Sequence, residues 1–156
     1  MLIQLADSPI DRVSSHALLL FFNENEKPLA GNVGLIDWRL NGRLSDLLAK
    51  RKIEGAQGEV LMIPGQGRVC SETIFLFGTG EKKAISKLVS KIRQTVRNLG
   101  VKSLAVSMTS ARGTELAFWK KLGEELGLEQ LVLVPPYSAS QVTRDRLNRV
   151  LEAANS

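Results

Sequence analysis

TIFLFGTGEKKAISKLVSKIRQTVRNLGVKSLAVS, residues 73–107, changes its hydrophobic period twice. Thr73 to Phe77 and Ser103 to Ser107 are short, strand-like runs, the first of them rich in β-branched and aromatic residues. Between them, from Glu81 to Leu99, the apolar residues Ile85, Leu88, Val89, Ile92, Val96 and Leu99 fall on one helical stripe, with Lys83, Lys87 and Arg97 opposite. Gly100 follows as a helix stop. A strand, a helix and a strand joined in this way form a crossover, which lays the two strands parallel.

Working outward, Pro64-Gly65-Gln66-Gly67-Arg68 separates the run Glu59 to Ile63 from Thr73, and a loop of that chemistry joins antiparallel strands. The sheet is therefore expected to be mixed. Leu2 to Ala6, His16 to Phe22 and Gln130 to Val134 bring the strand count to about six. Helical patterns cover Ala30 to Trp38, Gly42 to Arg51, Thr114 to Leu126 and Ser140 to Ala153, with Asn41-Gly42 reading as a tight turn between the first two. Helices enough for both faces predict a three-layer α/β/α domain with the sheet in the middle. Trp38 and Trp119 both sit in amphipathic helical patterns, where either a core or an interface role is open to them.

A chain of 156 residues, 44% hydrophobic and 24% charged, is sized for one domain, 1–156, with a continuous core. Its apolar runs are strand-sized, far short of the roughly 20 residues of a membrane helix. The opening residues Met1 to Asp7 lack the basic start and apolar length of a secretory signal, so a cytoplasmic location is expected. The single cysteine, Cys70, allows no intramolecular disulfide, in keeping with a reducing compartment. A net charge of +5 favours acidic partners in general.

Four pieces carry a family resemblance: Leu29-Ala30-Gly31; Asn41-Gly42-Arg43-Leu44-Ser45-Asp46-Leu47-Leu48; Ile53-Glu54-Gly55 with Gly58-Glu59-Val60-Leu61-Met62-Ile63-Pro64; and Ile74-Phe75-Leu76-Phe77-Gly78-Thr79-Gly80. In order and spacing they resemble the amino-terminal domain of the leucyl aminopeptidase (peptidase M17) family, and the likeness continues in step to about Ser107. The resemblance implies a macro-domain-like fold, which agrees with the periodicity. It also implies that catalysis is absent, because that family keeps its metal ions and catalytic residues in a carboxy-terminal domain. The Asn-Thr-Asp-Ala-Glu-Gly-Arg motif of that domain has no counterpart here.

The residue census agrees. A two-metal hydrolase needs several convergent carboxylates or histidines. One histidine, His16, and five scattered aspartates offer no ligand-like spacing, so neither a metal site nor a cofactor is expected. No Gly-x-Ser-x-Gly elbow occurs, and a serine without a base has no activation route. The chain reads as a non-enzyme.

Two constellations carry binding hypotheses. Gly78-Thr79-Gly80 stands between a strand and an expected helix beginning at Glu81, where helix amides could hold a phosphate. Lys82 and Lys83 would add positive charge. Ser110, Arg112 and Gly113 follow the parallel partner strand and are expected on the same rim, completing a pocket with Gly78, Thr79, Gly80 and Lys82 for a nucleotide or ADP-ribose-like ligand. Lys83, Lys87, Lys91 and Arg97 suggest instead a basic helix face for non-specific nucleic-acid binding, although aromatics make up only 5% of the chain and no nucleic-acid motif accompanies them. The leading expectation is a non-catalytic assembly or regulatory domain. The family's symmetric oligomers imply self-association or docking onto a protein partner such as a full-length aminopeptidase.

Overall fold

Ala17–Phe22 (β2) is the strand on which the molecule is built: all six residues are buried, because both faces and both edges of the strand are covered. The computed structural model describes residues 1–81 and 84–155. Around β2 lie Leu2–Leu5 (β1), Val60–Pro64 (β3), Thr73–Gly78 (β4), Ser103–Ser107 (β5) and Gln130–Val134 (β6). Their order across the sheet is β1-β6-β5-β2-β4-β3. Every neighbouring pair is parallel except β3 and β4, the hairpin. The expected mixed α/β sheet is thus observed.

Alternation along the strands sends side chains into two cores. Leu19, Phe21, Phe75, Phe77, Val106 and Leu133 face the layer of Val89–Leu99 (α3), Gly113–Glu125 (α4) and Gln141–Asn155 (α5). Leu18, Leu20, Ile74, Leu76 and Val132 face Gly31–Arg39 (α1) and Arg43–Ala49 (α2). Trp119 of α4 lies in the first core, edge-on to Phe118 and tilted against Phe21, with ring centroids 5.0 and 5.8 Å away. Trp38 of α1 is 70% exposed instead, and the two tryptophans have opposite roles.

The turn between α1 and α2 forms at Asn41-Gly42 as the sequence suggests, with Gly42 at φ +75°. Asp37 fixes the angle between the two helices. Its Oδ1 accepts the α2 amides of Leu44 and Ser45 at 2.7 and 3.1 Å, so a side chain of one helix caps the next.

Three expectations need correction. The helix expected from Glu81 starts later, with a 3-10 turn at Ile85–Leu88 and α3 proper only at Val89. Ile85 and Leu88 both pack on the core, and three residues per turn brings an i, i+3 pair to one side. Lys82 and Lys83 lie outside the described residues. The second correction concerns β4 and β5, which are parallel but not neighbours, since β2 is inserted between them. A crossover fixes the relative direction of its strands and leaves room for another strand between them. Leu99, assigned to the buried stripe, is exposed at the last residue of α3.

Candidate functional site

Parallel strands end together, and the carboxyl ends of β2, β5 and β6 open onto one rim of the sheet. There the start of α1 returns over Ser107 and the segment after β6, enclosing a cleft of about 320 Å³. Phe21, Phe22 and Met108 supply its apolar wall, while Asn32, Ser107 and Tyr137 are among its polar lining.

Asn32 ties the cleft together. Its Nδ2 donates to Ser107 Oγ at 3.1 Å and to the carbonyl of Pro135 at 2.9 Å, linking α1 to β5 and β6. The Pro135 carbonyl can only accept, so the amide orientation is fixed and Oδ1 faces away from both partners. Asn32 and Ser107 are only 8% and 6% exposed. Among the described residues, neither Asn32 Oδ1 nor the Ser107 hydroxyl proton has a further partner. Among the described residues no fully buried side-chain oxygen is left unbonded, so Oδ1 is not fully buried, and Asn32 lines the cleft.

The start of α1 is equally unfilled. Its N-cap residue is Ala30, which has no capping oxygen, and the first turn contains no acidic residue. Gly34 is the first amide with an acceptor, the Ala30 carbonyl at 3.1 Å. The N–H groups of Gly31, Asn32 and Val33 have none among the described residues.

The Gly78-Thr79-Gly80 turn is spoken for. Its three amides donate to the carbonyls of Glu59, Phe22 and Gly55 at 2.8, 2.9 and 2.8 Å, and Thr79 Oγ1 also donates to Phe22. The next element among the described residues is the 3-10 turn Ile85–Leu88. Glycine is required at position 78 by crowding: a Cβ there would lie 2.1 Å from the Ala56 carbonyl oxygen. Of these residues only Thr79 reaches the cleft.

On the other loop, Ser110 is occupied as well. Glu115, 5% exposed, accepts the amides of Thr109 and Ser110 at 2.9 and 2.7 Å, both their hydroxyls, and Trp119 Nε1. A buried carboxylate of the protein itself fills this nest of donors. Ser110, Arg112 and Gly113 line shallower hollows beside α4 and α5, and are not brought together with Gly78 and Gly80.

Lys87, Lys91 and Arg97 are exposed, but they do not form one face. Arg97 follows Lys91 by six positions, which turns it about 240° around α3. Arg93 pairs with Glu125 at 3.0 Å. His16 Nδ1 accepts the amides of Lys102 and Ser103 at 3.3 and 3.4 Å, a role in holding the start of β5. No cluster of three or more His, Cys, Asp or Glu residues suited to a metal occurs among the described residues.

Sequence reasoning did not single out Asn32 or Ser107. The available signal was a polar residue directly after Leu29-Ala30-Gly31, at a helix start with no capping residue, and a serine closing an apolar strand.

The mixed six-stranded sheet with helices on both sides resembles the fold of solved macrodomains. A macrodomain of Oceanobacillus iheyensis superposes with a TM-score of 0.66 over 98% of this chain and 91% of its own, at 13% identity. A tomato leucine aminopeptidase mutant matches 97% of this chain with a TM-score of 0.58 and 16% identity, over 35% of its own length. Residues 17–129 match the cytosol aminopeptidase family, N-terminal domain, and the chain belongs to that family. A probable cytosol aminopeptidase of Sulfurihydrogenibium sp. (strain YO3AOP1) is 31% identical over 83 residues. That match spans 53% of this chain and only 16% of the relative.

Proposed function

We propose that the chain acts as a non-catalytic assembly or regulatory domain, through self-association or by docking onto a full-length aminopeptidase. The observation that carries this reading is the family match itself: it falls on an N-terminal domain, and the relative is several times longer than the stretch it shares with this chain.

Trp38 marks a candidate contact surface. It is 70% exposed, and the Arg39 guanidinium lies 5.9 Å from its ring centroid. Arg39 is in turn held by Asp11 at 3.4 Å and by the carbonyl of Arg68 at 3.3 Å. Tryptophan and arginine are the residues on which interfaces concentrate their energy, and an aromatic side chain with an ordered neighbour loses little freedom on binding.

Sedimentation of the chain, alone and mixed with a full-length cytosol aminopeptidase, tests the proposal. A complex or oligomer is expected, weakened by Trp38→Ala without a change in melting temperature. A monomer that forms no complex at any accessible concentration would overturn it. So would metal-dependent hydrolysis of an aminoacyl anilide by the isolated chain.

A further inference from the structure

We propose that the free edge of β3 pairs with β3 of a second copy of the chain, antiparallel about a two-fold axis at Leu61, so that two sheets become one. This rests on the assembly reading and names its surface. As the last strand of the sheet, β3 has β4 on one side only. Two bonds fix the direction of its backbone groups: the Gly78 amide donates to the Glu59 carbonyl at 2.8 Å, and the Gly65 amide to that of Glu72 at 2.9 Å. Glu59, Leu61 and Ile63 therefore turn to β4, while Val60, Met62 and Pro64 turn outward. Among the described residues, no hydrogen bond reaches the outward groups of Val60 and Met62. Open edges are ordinarily blunted by a charge, a bulge or a covering segment. The opposite edge has such a cover, since Asn155 of α5 donates to the Ile3 carbonyl of β1 at 3.1 Å. Val60 to Ile63 carry no charge, and Met62 is 62% exposed.

The edge is complementary to itself in one register. Pro64 has no amide hydrogen, and the Gly58 amide is turned inward to the Gly78 carbonyl at 3.1 Å, so Val60 and Met62 are the outward donors of the strand. With Val60 opposite Met62 of the second copy, each residue exchanges both of its bonds with the other. A shift of two residues either way sets a carbonyl of Val60 against Pro64, or of Met62 against Gly58, neither of which can answer it. The side chains agree with that register. Met62 then lies beside Val60 of the second copy on one face, and Leu61 beside Leu61 on the other, with no like charges opposed along the strand. Glu54 and Arg68, both exposed and without an ion pair among the described residues, flank β3 at opposite ends, and antiparallel pairing brings unlike ends together. Arg39, by donating to the Arg68 carbonyl, joins the end of this edge to the Trp38 surface.

The test is sedimentation and hydrogen exchange of the full chain over a concentration series. A dimer is expected, with exchange at the Val60 and Met62 amides slowing at least about tenfold as it forms and the β4-bonded amides of Leu61 and Ile63 changing less. Met62→Lys, at an exposed position, should raise the dissociation constant at least about tenfold and leave the melting temperature of the monomer unchanged. The register is read by cross-linking in a Cys70→Ser background. Opposed residues that share no hydrogen bond stand about 4.5 Å apart at Cα, within disulfide reach, so Leu61→Cys should oxidise to a covalent dimer faster than Met62→Cys, although Met62 is the more exposed. A dimer unaffected by Met62→Lys, or linked more readily through position 62 than through 61, would overturn edge pairing and leave self-association standing. A chain that stays monomeric at millimolar concentration would overturn it as well, as would protection of the two amides only when a full-length aminopeptidase is added. Those last two outcomes leave docking onto that enzyme to the mixing experiment above.

Discussion

Glu115 shows how much one buried side chain can organise. Its carboxylate holds the loop after β5, the start of α4 and the indole of Trp119 at once. Glu115→Ala would strip two loop amides of their acceptor, and the expected loss is roughly 2–4 kcal/mol in urea unfolding. A loss under about 0.5 kcal/mol, the range of ordinary surface changes, would mean the loop finds other partners. Gly78 is a second sensitive position: Gly78→Ala forces a methyl against the Ala56 carbonyl and should cost about 1–3 kcal/mol by overpacking. Sequence inspection picks out Gly78 readily and assigns it a reason, room for a ligand, that differs from the observed one. Glycines that admit a phosphate and glycines that admit a neighbouring backbone look the same in a sequence, because what approaches them comes from the segment around Gly55 and Ala56. Asn32 is the converse, since its importance depends on Ser107 and Pro135, distant in sequence and near only once the sheet has formed.

At the level of elements, the periodic signals translated well. β5 and β6 coincide with their expected bounds, and the other strands begin or end within one residue of them. The start of α3 was hidden, because Ile85 and Leu88 fit an α-helical stripe and a 3-10 turn equally, and the choice between them is made by packing. The junction of α1 and α2 offers a direct test of local order. Asp37→Ala removes the side-chain acceptor for the Leu44 and Ser45 amides of α2, a seven-residue helix too short to persist unaided. A destabilisation of about 1–2 kcal/mol is expected, with hydrogen exchange rising at Leu44 and Ser45 before it rises in β2. Uniform change across the chain would show that the cap serves the whole fold instead.

For the whole molecule, the two cores share one sheet, and β2 contributes side chains to both. The chain should therefore unfold as one cooperative unit, with calorimetric and van't Hoff enthalpies in agreement. Two separable transitions would divide it. The layered class was legible because alternating strands and helices admit few arrangements, but the order of strands was not. Nothing in residues 17–22 announces that they will sit between 73–78 and 104–106. That placement carries a kinetic consequence. Ala-Leu-Leu-Leu-Phe-Phe is synthesised before both of its neighbours and finds neither of its edges until more than 50 further residues, and then the whole of β5, have been made. Long-range pairing of this kind is slow, and an uncharged, fully apolar hexapeptide is sticky while it waits. The strand that makes the finished sheet secure is thus the one a nascent chain has most need to shield from its neighbours.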